Sequence, residues 1–597
     1  TGNVTSGNDA TADIVASTIT VDTTGNFGAS ATDSIDVTAT GAVSVSAGDA
    51  SADAADTIVM TSQGDLVLGA LTTRGTAVNS GDTVSLTSTG DITDGNAGTA
   101  NITAGAVTID VTAGEGVGTS ANYLEVVGPS ATTLNFKVGG SDSTNGARFA
   151  GLHVETDEAL TLQNDVYSTS GVTLRSAGAF LQNSKNINDN ASTAINLVST
   201  AFTFSGSDLI TTGGTVNLTD TSGAFAIANT AAITDYIADA VSALTLTSTG
   251  GNIQLGSTGA LNVSAVTESG FTVTSSGNIQ VSNAVTGAAA ITLQANSGAG
   301  KIYGTAGVTT TGALTLDAGQ IDGADGSGSF AVSSGTLLID AGQAASNENL
   351  SITSAGAIDL RALTTNGSGT VSITTTNNSS TADHITIGTA LDSNGTGLLT
   401  LTSNDDVIIS GNLDHAGAMT VIAHGAEDGT GTTGAGLLYS SGAFTATSGG
   451  ALTLRGDVIG RTNNASAALS VSSTSLNLNA GNAGNGAVNV TSGAAIRLDT
   501  LNTAGSGAVA ITTTSGDLVV GDGSATAISN NGTGALTLTS AANVNVNEAF
   551  THTGDVTIVA NSGAGKIYGD SILTATSSAI TLQGDLIGND ASATGAM

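Results

Sequence analysis

The ten residues ANSGAGKIYG stand twice in this chain, at 295–304 and at 560–569, and both copies belong to a longer internal repeat. Carried backward at the same spacing of 265 residues, the alignment pairs SSGNIQVSNAV (275–285) with SAANVNVNEAF (540–550) and relates 271–304 to 536–569. A second relation, at 137 to 138 residues, matches LSITSAGAIDLRALTTNGSGTVSITTT (350–376) to VNVTSGAAIRLDTLNTAGSGAVAITTT (488–514). It runs on until 350–423 is related to 488–560, with His415 and His552 in register. Finer still, IDVTATGAVSV (35–45) matches IVMTSQGDLVL (58–68) at a spacing of 23, so the elementary unit is 20 to 27 residues. Repeats this short cannot bury an apolar face alone and gain a core only by stacking on their neighbours.

Within one unit, apolar and small polar residues alternate with period two, the mark of a half-buried strand. Residues 488–511 give Val488 and Val490, then Ile496 and Leu498, then Leu501, an AGSG loop, and Val509 and Ile511. Three short strands separated by Gly, Asn or Asp corners describe one coil of a parallel β-helix. The fold class is therefore all-β, a β-solenoid of roughly 20–27-residue coils. At one strand spacing per coil and about 22 residues each, the chain would make roughly 27 coils and a rod on the order of 130 Å. Alternate Ser and Thr face water or line up as hydroxyl ladders, and Asn252, Asn278 and Asn543 are placed to stack as amide ladders. AAITDYIADAVSAL (231–244) comes closest to a helical pattern and has room for one short helix. Coils are expected over 1–113 and 161–597. Between them, 114–160 holds the only Pro (Pro129) and reads as an irregular coil or a protruding loop insertion, a place for a recognition patch.

Composition excludes several functions. Eleven Lys and Arg stand against 48 Asp and Glu, a net charge of −37 with no basic cluster, so nucleic acid and anionic membranes are not expected partners. Absence of Cys removes disulfides, thiolate catalysis and cysteine-ligated zinc. No apolar run approaches the about 18 residues of a membrane-spanning helix. Disorder is excluded by the alternation and by a mean hydropathy of +0.22. Both ends, TGNVTSGNDA and DASATGAM, read like internal repeat sequence, and an excerpt of a longer protein is the expectation.

GDITDGNAGTANITAGAVTIDVTAGEGVGTSANYLEV (90–126) and the phrases GALTLTS, AGAIDL and GDLVL resemble the filamentous-haemagglutinin-like and giant β-strand-repeat surface proteins of bacteria. The resemblance covers nearly the whole chain. It implies a right-handed parallel β-helix, secretion to the bacterial cell surface, and a fibre, sheath or adhesin stalk that associates with itself and meets surface glycans or a host or neighbouring cell. It carries over no catalytic or binding residue.

Adjacent Asp405 and Asp406 point to opposite faces of a strand, and their repeat partners are Ala542 and Asn543, against a catalytic pair. The chain is expected not to be an enzyme; a polysaccharide-active β-helix is the contrasting class. Calcium favours oxygen ligands, and Asp91, Asp94, Asp322, Asp325, Asp405 and Asp406 are its candidates, although no GGxGxD roll or EF-hand loop is present. No cofactor is required by this reading, and Ca2+ would belong to a calcium-dependent surface-layer lattice. His153, His384, His415, His424 and His552 are too dispersed to form a metal cluster and are expected at surfaces or corners. Lys301, Tyr303, Lys566 and Tyr568, from the duplicated motif, are candidate contacts between rods; the plainer alternative is a lysine stem covering the adjacent strand.

Overall fold

The computed structural model describes residues 2–588 apart from 204–209, 227–240, 256–260, 342–348, 377–382, 424–435, 461–466, 482–485 and breaks of one to three residues elsewhere. The chain is nearly all β, 57% strand and 1% helix, wound into parallel stacked coils of a β-solenoid with about 20 turns. That is fewer than the roughly 27 expected, because coils vary in length. Bonded positions one coil apart are separated by 18 residues at His415 and Gly397 but by 33 at Thr445 and Asn412. Pro129, Asp325 and His424 lie outside the described residues, as do 231–240 of the segment read as a helix. Its remaining residues, 241–244, begin the strand Val241–Ser248.

The chain divides into two compact units, one of residues 1–279 and 285–292, the other of 280–284 and 293–597. In the first, the strands Thr57–Ser62, Thr83–Ser88, Ala106–Val111 and Thr132–Val138 stack in parallel. Ile58, Val84, Val107 and Leu134 form one buried column, and Met60, Leu86, Ile109 and Phe136 the next. Phe149 plugs the second column edge-on to Phe136, with ring centres 6.4 Å apart. Over 114–160 the parallel rule is broken: Ser141–Asp142 turns back antiparallel on Thr132–Val138, and Thr119 with Asn122 and Thr144 with Ala147 close two small antiparallel bridges.

The second unit follows directly from the LTLTS pattern. Leu399–Ser403 lies between Val371–Thr375 and Met419–Ala423, with Leu399 over Val371 and under Met419, and Leu401 over Ile373 and under Val421. Burying each such side chain contributes about 1.5–3 kcal/mol. Hydroxyls at the strand ends turn inward. Ser403 and Thr375 both donate to the Asp383 carbonyl, at 3.0 and 2.8 Å, while Ser540 and Thr513 both donate to Gly516 O at 3.0 Å. The hydroxyl ladders thus serve as internal corner caps for carbonyls that leave the strands.

Candidate functional site

A parallel coil enters each strand with a backbone N–H pointing along the stack, and buried N–H groups require acceptors. Asp and Asn of the preceding coil supply them. Asp65 Oδ1 accepts from Asp91 N–H at 3.2 Å, and Asp91 Oδ1 from Gly116 N–H at 2.6 Å. Asp165 does the same for Asn186 at 2.8 Å, Asp406 for Leu437 at 2.8 Å and Asp555 for Ala579 at 2.9 Å. Asn543, expected in an amide ladder, stands in a mixed one: its N–H and Nδ2 donate to Asp517 Oδ1, and its own Oδ1 accepts from Lys566 N–H at 3.0 Å. Many of the scattered acids are therefore staples between coils, each a charge-assisted bond.

The calcium candidates take separate places. Asp91 bonds to Gly116, whereas Asp94 Oδ1 accepts from Asn96 N–H and Asn101 Nδ2, both at 2.7 Å. Asp322 is buried, bonded by Gln320 Nε2, and stacked one coil above Tyr303. Asp405 turns toward His384, with Oδ2 and Nδ1 3.5 Å apart, while Asp406 staples Leu437 in the following coil. The adjacent acids thus serve opposite neighbours. Asp383 completes this corner, buried, with Oδ2 unpartnered; burial and then Asp405 push its carboxyl up. Burial also raises Asp406, against the Leu437 bond. Among the described residues no group of three or more His, Cys, Asp or Glu is arranged to hold a metal ion.

The duplicated motif repeats in space as well as in sequence. Asn296–Gly298 and Asn561–Gly563 each form a short turn with three successive left-handed residues, φ 47°, 49° and 83° in one and 46°, 52° and 95° in the other. Each turn delivers a Lys-Ile-Tyr strand whose Ile302 or Ile567 is fully buried, leaving Lys and Tyr on the outer face. Lys301 is half-buried and Lys566 exposed.

Three histidines depart from expectation. His153, His415 and His552 are buried, while His384 keeps its side chain 34% exposed. His415 Nε2 lies 2.7 Å from Gly397 O, and His552 Nε2 2.8 Å from Gly534 O. A carbonyl only accepts, so Nε2 carries the hydrogen and Nδ1 accepts, from Ser393 Oγ at 3.1 Å and from Asn530 Nδ2 at 3.0 Å. The sequence register of the two histidines is the register of two interior hydrogen-bond networks.

Two further groupings bring together residues that no sequence motif links. A cleft of about 440 Å³ is lined by Asp499, Asp522, Ser524, Ile528 and Glu548. Hydrogen bonds from Ser524 and Glu548 hold Asp522 down at about 2. Ser524 N–H is shared by Asp522 Oδ1 at 2.7 Å and Glu548 Oε1 at 2.9 Å, so these carboxyls adjoin one another, closer than the roughly 5–9 Å that glycoside hydrolysis uses. The one sequence signal was a break in the repeat: Glu548 stands where the matching copy has Gly411. Gly521, at φ 89°, is what admits it, since a Cβ there would sit 2.5 Å from the Glu548 side chain. The second lies in and next to the irregular region, where two cation–π pairs occur, Arg175 over Tyr123 at 5.1 Å and Arg148 over Tyr167 at 5.5 Å.

Among the described residues no helix is long and apolar enough to cross a membrane. No protein-family model, curated protein or solved structure matches the chain.

Proposed function

We propose that this is a structural protein of the bacterial cell exterior, not an enzyme, that builds a fibre, sheath or adhesin stalk through solenoid stacking and self-association. One observation carries the reading: about 20 stacked coils whose interior is a repeated aliphatic column and many of whose acids serve as staples between coils. Such a column extends a surface, and its backbone ladders run along the stacking direction and resist extension. The net charge of −37 keeps free molecules apart and soluble. Lys301, Tyr303, Lys566 and Tyr568 are offered as lateral contacts, since the motif presents the same pair of outward side chains twice.

A calcium-dependent surface lattice is the second reading, favoured by carboxylates held close enough to raise one another, as Asp91 raises Glu115 after burial. Electron microscopy of the native material with calcium and then with a chelator separates the two. Filaments that survive chelation support the fibre; sheets or filaments that dissolve into single molecules support the lattice. Dispersed molecules under both conditions would remove self-association altogether. Reproducible release of new ends from a polysaccharide panel would overturn the non-enzyme reading, with Asp405 and Asp406, and the Asp522–Glu548 cleft, the first residues to replace.

A further inference from the structure

The coil holding Val117 and Leu124 is interrupted opposite a single residue. Val117 pairs with Leu152 and Leu124 with Val154, so Gly118–Tyr123 loops out across from His153, closed by the Thr119–Asn122 bridge. Alternate strand residues share a face, which places Glu125 beside Glu155 in the next coil and Glu155 beside Arg175 in the one after. Arg175 spans this face: its Nε is 3.6 Å from Glu155 Oε2, and its guanidinium lies over the Tyr123 ring two coils away.

Beneath this arch His153 is 9% exposed, and its Nδ1 has no hydrogen-bond partner. The Cδ2–Nε2 edge of the ring lies against Gly151, since a Cβ on that glycine would be 3.1 Å from Nε2 and 3.5 Å from Cδ2. The opposite edge, bearing Nδ1, is therefore turned away from Gly151. Glu125 Oε2 is a second buried polar atom without a partner on the same face. Burial holds His153 below its ordinary range and so neutral near pH 7, and Glu125 is pushed up by burial and then by Asp94. Two polar atoms on one face, each buried and left unsatisfied, call for an outside partner.

We infer that Tyr123, Glu125, His153, Glu155 and Arg175 form a binding site for a neutral saccharide. Sugar hydroxyls both donate and accept, so a short glycan lying along this face can satisfy His153 Nδ1 and Glu125 Oε2 and accept from Arg175, while the C–H face of one unit packs on Tyr123. The Arg175–Tyr123 contact, a weak one where exposed, swings aside to admit it. Asp94, Glu125 and Glu155 outnumber the one cation and turn away uronic and sialic acids. This site goes beyond self-association, which needs none of these residues.

The test is calorimetric titration of the whole chain with neutral tetrasaccharides of glucose, mannose, galactose and N-acetylglucosamine, each against wild type, His153→Phe and Tyr123→Ala. His153→Phe keeps the ring's bulk and the net charge while removing the unpartnered nitrogen, so it does not depend on a destabilised fold. At least one tetrasaccharide binds wild type, and its affinity falls tenfold or more in both variants. Binding by none of the four, or binding that His153→Phe leaves unchanged, overturns the site. Filaments of His153→Phe, viewed beside wild type, report on self-association separately, so one reading can fail without the other.

Discussion

Asp359 and Arg497 hold the same place in two copies of one strand and carry opposite charges. In Ile358–Thr364 the carboxylate comes first, with Arg361 Nε 2.7 Å from Asp359 Oδ2. In Ile496–Thr503 the guanidinium comes first, and Arg497 holds Asp499 through Nε and, at 2.9 Å, through Nη2. Residues two apart in a strand share a face, so the repeat has kept a pair while its order has reversed. Exchanging the first pair, Asp359→Arg with Arg361→Asp, is expected to leave stability within about 0.5 kcal/mol, since exposed pairs contribute little. Asp359→Arg alone sets two guanidinium groups together and costs up to about 1 kcal/mol. Denaturant midpoints of the single and double variants check this, and a double variant worse than the single one would refute it.

The coil staples predict a graded loss. Asp517 Oδ1 accepts both the N–H and the Nδ2 of Asn543, which in turn accepts from Lys566 N–H. Asp517→Ala strands the Asn543 amide and is expected to cost about 1–3 kcal/mol, whereas Asp517→Asn retains an acceptor and costs less. Stacked coils open in pieces, so hydrogen exchange of the strand Val544–Val546 is the measurement. Faster exchange there in Asp517→Ala, with Leu399–Ser403 unaffected, is the expected outcome.

Acid should strengthen this protein before it weakens it. Burial is the first cause raising Asp56, Glu115, Glu125, Asp383 and Asp406, and neighbouring acids add to it at each. A carboxyl raised in the fold holds its proton more tightly than the unfolded chain does. Its contribution is full below the unfolded value of 3.8 for Asp or 4.5 for Glu and is lost as pH rises through the folded value. Asp522 runs the other way, contributing above 3.8 and losing that contribution as pH falls through about 2. His153, lowered by burial, costs stability once pH drops below 6.5, where the unfolded chain takes up the proton. Five raised carboxyls against one histidine predict a Tm that climbs as pH is lowered from about 7 to about 4.5. Scanning calorimetry reads it directly; Glu125→Gln flattens the climb, and a steady fall over that window would contradict the prediction.

Much of the fold was legible because a single physical rule, alternation of period two stacked at a fixed repeat, governs Leu399, Leu401, Val371 and Met419 alike. Coil length was less legible, since positions bonded across one coil stand 18 residues apart at Gly397 and His415 but 33 at Asn412 and Thr445, and the alternation within a strand does not set that spacing. The coil staples were hidden for a related reason. Asp406 and Asp517 look like solvated charges in sequence, and only the stacking reveals the N–H group waiting one coil away. His153 could not be read at all, because its burial depends on an excursion from Gly118 to Tyr123 in another coil.

The two interior histidines are expected to differ in what their loss costs. His415 is bonded through Ser393, whose hydroxyl also bonds to Thr365 Oγ1, so Ser393 keeps a partner when the imidazole is removed. His552 is bonded through Asn530, whose Oδ1 is engaged by the Thr503 N–H and hydroxyl, both at 2.7 Å. That engagement fixes the amide: a backbone N–H can face only oxygen, so Nδ2 must face His552 and cannot turn away without breaking both Thr503 bonds. Replacing either histidine by Phe leaves a carbonyl, the part-buried Gly397 O or the buried Gly534 O, without its donor. Only His552→Phe also strands the Nδ2 of a buried amide. It is therefore expected to cost roughly 1 kcal/mol or more beyond His415→Phe, the penalty of one additional unsatisfied buried group. Asn530→Ser, which copies the hydroxyl of the other network, should close most of that gap when combined with His552→Phe. Equal losses for the two histidines, read by hydrogen exchange in Leu413–His415 and Phe550–His552, would mean that the amide finds another partner and that the networks are interchangeable.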